Sequence, residues 1–317
     1  MFLLGFDIGG TKCAVMTADY IDGQITLLKK EKIATDKNLT PYEIIDKLIN
    51  LADGICDKKP EAIGISCGGP LDSKKGVILS PPNLPDWDNI PIVEIIKNHF
   101  GCPVHLQNDA NACAVAEWKF GAGRGKNNVV FLTFGTGLGA GLILDGKLYS
   151  GTNDNAGEVG HIRLNKSGPV GYGKAGSFEG FCSGGGLAQL GFMMAVEAVK
   201  KGISPAYYTE GMNPSEVTAK TIADAANAGD ETALEVYRTC GEYLGKGLSI
   251  IIDILNPEVI VIGSIFARAQ NLLWDSAKAV IETEALPLSA NVCSVVPAQL
   301  SEQIGDYAAI ATALLEE

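Results

Sequence analysis

The sequence predicts an α/β protein built from two half-domains around a central cleft. Two observations carry this prediction: the first hundred residues alternate strand-like and helix-like patterns, and a glycine-rich hairpin turn occurs twice, around residues 9–10 and again at residues 135–141. The length of 317 residues is enough for about two domains. We expect a smaller N-terminal domain over 1–110, joined by a C-terminal helix at 306–317, and a larger domain over 111–305.

The first half of the chain shows the pattern strand, strand, strand, helix, strand, helix, strand. These elements are predicted at 2–8, 13–19, 25–33, 41–56, 62–66, 91–99 and 103–107. The helix 41–56 has apolar residues spaced three and four apart, Thr40 can cap it, and Pro41 suits its first position. The short connections between the first three strands predict an antiparallel meander.

The second glycine-rich turn lies within 129–144 and restarts the same pattern of strands. Helices are predicted at 184–201, 215–228, 230–255 and 306–316, with a buried strand at 258–263. The helix 230–255 should stop at Asn256-Pro257, because proline cannot continue a helix. The glycines within 121–125 favour a flexible segment near the domain boundary.

Composition excludes several classes of protein. The net charge is -12 and no stretch concentrates Lys and Arg, which argues against a nucleic-acid partner. No apolar run approaches the roughly 18 residues of a membrane span, so we expect no membrane partner. The 8 cysteines are scattered and form no Cys-x-x-Cys pair. Reduced thiols and a cytoplasmic location are the expected consequence.

The two glycine-rich turns predict phosphate binding. The first reads Asp-Ile-Gly-Gly-Thr-Lys over 7–12, and the second reads Gly-Thr-Gly-Leu-Gly over 135–139. Glycine has no side chain to keep an anion away from the backbone N–H groups. Each turn also offers a hydroxyl, from Thr11 and Thr136. Two such turns predict a cleft that binds a polyphosphate from both sides.

Asp109 is the candidate catalytic base. It follows the strand 103–107 and opens a helix predicted over 110–120. A carboxylate at this position can accept a proton from a substrate hydroxyl during phosphoryl transfer. Asp is also a good helix cap, and the motif alone supports the two roles equally. The two predicted phosphate turns favour catalysis.

Polar residues in glycine- and proline-rich loops are candidates for binding sugar hydroxyls. Glu158 and His161 lie three residues apart between glycines, and Glu179 follows in a second glycine-rich stretch. His161 could instead bind a metal. Asn83 lies in a proline-rich loop, where a turn residue and a sugar contact are equally good explanations.

Together these motifs resemble the ROK family of sugar kinases, repressors and related open reading frames, within the actin-like ATPase superfamily. The similar segments are Asp-Ile-Gly-Gly-Thr-Lys at 7–12, Asn-Asp-Ala-Asn at 108–111, Gly-Thr-Gly-Leu-Gly-Ala-Gly at 135–141, Gly-Glu-Val-Gly-His at 157–161 and Leu-Asn-Pro-Glu-Val-Ile-Val-Ile-Gly at 255–263. They occur in the family's order over nearly the whole chain. The resemblance implies two actin-like (ribonuclease H-like) half-domains and a homodimer.

The resemblance also implies an activity and a role for each motif. It implies ATP-dependent phosphorylation of a glucose-like hexose at O6, with Asp109 as general base and Asp7 holding Mg²⁺ through water. The residues implied in ATP binding are Gly9, Gly10, Thr11, Lys12, Thr136, Gly137, Gly263 and Ser264. The family often has glycine in place of Ser264. The residues implied in sugar binding are Asn83, Asn108, Asp109, Glu158, His161 and Glu179.

The chain departs from the family at a zinc-binding segment. Where the family commonly has three cysteines, this sequence has Val170, Tyr172 and Ser177. Structural zinc requires four Cys or His ligands, and His161 alone would remain. We therefore expect no zinc, and we expect packing through Tyr172 and Phe178 to hold the loop instead.

Two other functions compete with a kinase. A repressor would carry a DNA-binding domain before the first phosphate motif, and that motif begins already at Asp7. A catalytically silent sugar sensor or regulator is the stronger alternative, because the segment without its zinc ligands could have lost activity. The presence of Asp109, the Glu158/His161 pair and both phosphate turns favours an active enzyme.

Overall fold

The computed structural model describes residues 1–315 and shows a mixed α/β architecture. Its strands are β1 (Phe2–Ile8), β2 (Lys12–Ile21), β3 (Gln24–Ala34), β4 (Ala62–Cys67), β5 (Leu71–Asp72), β6 (Val77–Ile78), β7 (Val104–Asn108), β8 (Val129–Phe134), β9 (Leu138–Leu144), β10 (Lys147–Leu148), β11 (Val170–Gly171), β12 (Lys174–Ala175), β13 (Val259–Ile262) and β14 (Ser294–Pro297).

The α-helices are α1 (Pro41–Ile55), α2 (Ile92–Phe100), α3 (Asp109–Phe120), α4 (Phe178–Phe181), α5 (Gly184–Lys200), α6 (Ala219–Asn227), α7 (Glu231–Leu255), α8 (Ile265–Glu284), α9 (Pro287–Ala290) and α10 (Ile304–Thr312). Short 3-10 turns cover Val159–His161, Pro214–Glu216 and Ser301–Gln303. The predicted closing helix therefore ends at Thr312, and the last two residues of the predicted range 306–317 lie outside the described part of the chain.

The described chain divides into two compact units. The first contains residues 1–125 and 141–156 together with the C-terminal segment from residue 299, and the second contains 126–140 and 157–298. The division into functional domains of 1–110 and 111–305 stays a prediction. No helix of residues 1–315 is both long enough and apolar enough to cross a membrane, and the cytoplasmic location stays a prediction too.

The first unit is built on a sheet of order β3-β2-β1-β4-β7. The first three strands form the predicted antiparallel meander, and β4 and β7 continue the sheet in parallel to β1. Helix α1 begins as the sequence predicts, because Thr40 and Glu43 form a reciprocal capping box with Pro41 at the first helical position. Its apolar side packs with β1 and β4 in one core that includes Leu4, Ile45 and Ile63.

Helix α10 completes the first unit on the other side of this sheet. Ala309 and Ile310 of α10 form a second core with Leu3, Met16 and Ala18 of the meander. The chain leading into α10 is held by the buried Glu117 at the end of α3, whose carboxylate accepts the backbone N–H of Leu300 at 2.8 Å.

The second unit has parallel pairing of β8 with β13 and of β13 with β14. Strand β9 follows β8 after the second glycine-rich turn and runs into the first unit at Gly141, where its end pairs with β10. Helix α7 stops at Leu255 as predicted, with Asn256 in the left-handed conformation before Pro257. The helices of this unit bury Tyr237, Leu248 and Phe266.

Candidate active site

The first glycine-rich turn, between β1 and β2, closes on itself and on a neighbouring loop. Gly9 N–H donates to Lys12 O at 3.2 Å, and the Thr35 hydroxyl donates to Gly9 O at 2.6 Å. A Cβ added at Gly10 would lie 2.3 Å from Asn83 O, so only glycine fits there. Thr11 and Lys12 are exposed. The turn therefore presents a hydroxyl and an ammonium group from a fixed backbone, as an anion site requires.

Asp7 lies at the end of β1, directly before this turn, among other charged groups. Burial and then the neighbouring Asp306 and Asp109 carboxylates raise the pKa of Asp7 to about 6, while Lys30 and Lys12 lower it. Lys30 forms an ion pair with Asp306. Sequence reasoning missed Asp306 and Lys30, because residues 276 positions apart are brought together only when α10 packs on the sheet.

Asn83 lies beside the first turn, and its role in sugar binding stays a prediction. The loop around it is closed by Leu84 N–H donating to Pro81 O at 2.9 Å, and Asn83 itself is exposed. Trp87 anchors the loop in the core with only 2% of its surface exposed.

Asp109 is the first residue of α3, and Asn108 caps that helix. The Asn108 side chain accepts the Asn111 N–H at 2.8 Å, whereas Asp109 Oδ1 accepts the N–H of the adjacent Ala110, also at 2.8 Å. The Asp109 side chain remains exposed, yet surrounding protein desolvates its carboxyl and raises its pKa. Exposure of the residue and desolvation of its carboxyl are both expected when water reaches the side chain from one side and protein surrounds it on the others. Asp109 is therefore not needed as the helix cap.

In the second unit, Glu179 is tied to the second glycine-rich turn. Its Oε2 accepts the Leu138 N–H at 3.0 Å, and a Cβ added at Gly137 would lie 2.8 Å from the same oxygen. His161 N–H donates to Glu158 O at 3.2 Å within a 3-10 turn. Glu158 is exposed and His161 is half-buried. A Cβ added at Gly160, between Glu158 and His161, would meet Leu138 O and Glu179 Cβ. The turn and the predicted sugar-binding residues of this unit thus form one connected group.

A pocket of about 900 Å³ in the second unit contains two of the predicted ATP-binding residues, Thr136 and Ser264. Gly184 N–H donates to Gly135 O at 2.7 Å, which places the N-terminus of α5 against the second turn. Further polar residues of this pocket that sequence reasoning missed are Ser215, Thr218, Lys220, Asp224 and Arg268. The run Ser-Gly-Gly-Gly at 183–186 was a possible signal, because free N–H groups at a helix start suit a phosphate.

Gly263 and Ser264 follow β13. Gly263 N–H donates to Leu132 O at 3.0 Å, which fixes the strand end beside β8. Ser264 has φ 54° and ψ -111°, and its hydroxyl lies 3.2 Å from a guanidinium nitrogen of Arg268. Ser264 and Arg268 line the pocket of about 900 Å³, and Gly263 does not.

Comparisons with known proteins agree on one family. The family model described as "ROK family" matches residues 3–315. A glucokinase of Thermotoga maritima is 31% identical over 306 residues, which is 96% of this chain and 94% of that protein. A xylose repressor of Caldicellulosiruptor bescii is 30% identical over 271 residues, covering 83% of this chain and 65% of the repressor.

Solved structures give the same answer for the fold. The crystal structure of a ROK family glucokinase from Streptomyces griseus, in complex with glucose and AMPPNP, superposes with a TM-score of 0.78 at 30% identity and covers 99% of both chains. The predicted α/β fold of the actin-like ATPases is confirmed by this likeness. The match over nearly the whole chain establishes that this protein is a member of the ROK family.

Proposed function

We propose that the chain is an ATP-dependent hexose kinase that phosphorylates a glucose-like sugar at O6. The observation that carries the proposal is Asp109: the residue is exposed at the start of α3, and Asn108 rather than Asp109 serves as the helix cap. The glucokinases among its relatives, one of them solved with glucose and AMPPNP, support the choice of hexose and nucleotide.

In the proposed reaction, Asp109 accepts the proton of the sugar hydroxyl as its oxygen attacks the γ-phosphorus. The bond between that phosphorus and the β–γ bridging oxygen breaks, and ADP leaves. The raised pKa of Asp109 makes its carboxylate a stronger base than an ordinary aspartate, which suits proton transfer near neutral pH. The same shift means that activity is lost on acidification at a higher pH than for an ordinary aspartate.

The phosphate charge would be balanced by groups already fixed in place. Thr11 and Lys12 present donors from the first turn, and Thr136 does so from the second. Electrostatic stabilisation of this kind is the main requirement of phosphoryl transfer. Mg²⁺ bound to the ATP phosphates would neutralise part of their charge, and Asp7 fits a contact through water because Mg²⁺ keeps several of its waters.

The sugar-binding residues that we propose are Asn83, Asn108 and Asp109 in the first unit, and Glu158, His161 and Glu179 in the second. Carboxylates, amides and imidazole can accept and donate hydrogen bonds to several hydroxyls at once. The hydrogen bond from the Leu138 N–H to Glu179, at 3.0 Å, supports this assignment because it links a proposed sugar-binding residue to a predicted phosphate-binding turn.

The test is ADP release from ATP·Mg²⁺ over a panel of hexoses and hexosamines. We expect sugar-dependent turnover in the wild type and a loss of about 10²- to 10⁴-fold in kcat for Asp109→Asn, with ATP binding retained. Asp22→Asn, the same change in an exposed turn, should behave as the wild type. Near-normal turnover of Asp109→Asn would remove it from the role of base.

A catalytically silent sugar sensor is the alternative, supported by the regulators among the relatives. It predicts hexose binding by calorimetry without sugar-dependent ADP release. We also propose a homodimer, which size-exclusion chromatography with light scattering would test.

A further inference from the structure

The segment from His161 to Glu179, here called the sugar loop, does not fit the zinc ion that many family members carry there. Val170, Tyr172 and Ser177 offer a hydrocarbon, a phenol and a hydroxyl in place of thiolates. Over residues 1–315, no group of three or more His, Cys, Asp or Glu side chains could hold a metal ion. Another set of interactions must therefore hold this loop.

The sugar loop contains a hairpin of β11 and β12. Val170 pairs with Ala175 and Gly171 with Lys174, and the two turn residues Tyr172 and Gly173 have φ angles of 42° and 76°. Two positive φ angles are typical of the type I′ turn, whose twist matches the strands it joins. The hairpin thus has a defined backbone geometry of its own.

Gln189 on α5 ties this hairpin to the body of the second unit. Its Oε1 accepts the Val170 N–H at 3.0 Å, and its Nε2 donates to Val170 O at 2.9 Å. The side-chain amide therefore pairs with Val170 as a neighbouring strand would. The same Nε2 lies 3.3 Å from Gly185 O on its own helix, which fixes the amide in place.

Two basic side chains tie the hairpin to the segment around His161. Lys174 Nζ donates to His161 O at 2.7 Å, and Arg163 Nη1 donates to Ala175 O at 2.7 Å. Ser177, with its side chain buried, accepts the Gly180 N–H at 3.1 Å and so caps the short helix that bears Glu179. The two basic side chains thus join the segment around His161 to the hairpin, and Ser177 fixes the helix that follows it.

Tyr172 lies against His161 at the tip of the hairpin. The two ring centroids are 5.1 Å apart and the rings are nearly perpendicular. Tyr172 is 70% exposed, so burial in a core does not explain why a bulky side chain occupies a left-handed position that favours glycine. The contact with the His161 ring explains why a tyrosine occupies this position.

We propose that residues 170–175 and Gln189 form a metal-free clasp that positions His161 and Glu179 for the hexose. Gln189 and Tyr172 are its positioning residues. This inference rests on the proposed function for its effect on sugar binding, whereas the mechanical role of the clasp does not depend on catalysis.

The first test is Gln189→Met, which keeps the length of the side chain and removes both hydrogen bonds to Val170. We expect the KM for hexose to rise about fivefold to tenfold, since each bond contributes modestly, with the KM for ATP unchanged. Gln24→Ala, a glutamine change in the other unit, should leave both constants unchanged. A hexose KM within twofold of wild type in Gln189→Met would overturn the role of Gln189.

The second test separates the Tyr172 ring from its backbone strain. Tyr172→Gly should fold with a Tm at or above that of the wild type and raise the KM for hexose several-fold. Tyr172→Phe keeps the ring and should retain the wild-type KM. Equal hexose KM values for all three proteins would refute the role of the ring.

Hydrogen exchange measured by mass spectrometry tests the clasp without any assay of activity. In the absence of ligands, Gln189→Met should exchange faster than wild type over residues 162–181, while Gln24→Ala should not. Excess EDTA should leave the wild-type Tm unchanged, and a fall in Tm or one zinc per chain would refute a metal-free clasp. Absence of sugar-dependent turnover in the wild type would refute the proposed kinase activity but not the clasp. The clasp would then be tested with calorimetric Kd values for hexose in place of KM values.

Discussion

Ser264 occupies a backbone conformation that glycine adopts far more easily. Its φ of 54° and ψ of -111° place it outside the regions that residues with a Cβ prefer. Strain of this kind costs on the order of 1–3 kcal/mol, and its side chain caps no helix N–H. The contact that accounts for a serine here is the hydrogen bond from Arg268 at 3.2 Å, beside the proposed nucleotide site.

Ser264→Gly should therefore raise stability and weaken nucleotide binding at the same time. We expect a higher Tm because the strain is relieved, and a KM for ATP about two- to fivefold higher because the hydrogen bond between Arg268 and the Ser264 hydroxyl at the pocket is lost. Ser264→Ala loses the same hydroxyl but keeps the strain, so its KM should rise without the gain in Tm. An unchanged KM for ATP in both variants would contradict a role for this hydroxyl.

The structural role of a residue could be predicted from the sequence where the motif alone implies the local backbone geometry. Gly10 is an example, because the backbone of Asn83 approaches it too closely for any Cβ, and a glycine pair in a turn suggests such an approach. Asp306 and Gln189 could not be predicted in this way. Their partners, Lys30 and Val170, are brought to them by tertiary packing and carry no local signal.

At the scale of elements, Gly64 in β4 determines how closely α10 can pack on the first sheet. A Cβ added there would lie 2.0 Å from Ala309 O and 2.4 Å from Ala313 N, and both of these are backbone atoms. Side-chain rotation cannot relieve such a clash. The helix would have to move away from β1 and β4, and the core around Ala309 and Ile310 would open.

We expect Gly64→Ala to lower the free energy of unfolding by about 3 kcal/mol or more. Gly54→Ala is the matched control, because Gly54 lies in the exposed part of α1 with nothing within 4 Å of an added Cβ. That change should stabilise the protein by about 0.5–1 kcal/mol. Urea unfolding followed by circular dichroism measures both, and equal effects would contradict the packing argument.

Elements with strong local signals were predictable to within a few residues. Helix α1 has its capping box and Pro41, and α7 ends before Pro257. Helix α8, in contrast, begins after a strained Ser264 with no side-chain cap, so it lacks the usual start signal. Strand β14 is a short edge strand that ends in Pro297 and is only partly buried. Neither element was predicted, because only the sheet and the neighbouring helices define them.

At the scale of the whole molecule, charge should make the protein most stable below neutral pH. The net charge of -12 at pH 7 causes self-repulsion, which partial protonation of carboxylates reduces. Burial also raises the pKa of both Asp7 and Asp109. Other carboxylates, such as Glu258 with its two backbone donors, have a lowered pKa and favour the folded state only while they are ionised. Charge repulsion and the buried aspartates lower the stability as the pH rises, and so set the upper limit of the pH range of greatest stability. Carboxylates with a lowered pKa lose their stabilising contacts as the pH falls, and so set its lower limit.

The contribution of Asp7 has a definite sign. Its pKa is about 6 in the folded protein against an ordinary 3.8, so between these values the folded state holds a proton that the unfolded state has released. Stability from this group is fully present below pH 3.8 and is lost as the pH rises through about 6. At pH 7.5 the ionised Asp7 costs at most about 3 kcal/mol.

Asp7→Asn should therefore raise the Tm at pH 7.5 and have little effect at pH 4, measured by calorimetry in buffer free of nucleotide and magnesium. The wild type should show a Tm maximum on the acidic side of neutrality, and Asp7→Asn should flatten the decline from pH 5 to pH 7.5. Asp22→Asn, in an exposed turn, should follow the wild-type profile apart from a small gain common to any loss of negative charge. Added salt should narrow the difference in Tm between the wild type and Asp22→Asn, because salt screens the general repulsion. It should leave most of the Tm gain of Asp7→Asn, because salt does not reverse desolvation. A gain in Asp7→Asn that is equal at pH 4 and pH 7.5 would show that ionisation of Asp7 is not its source.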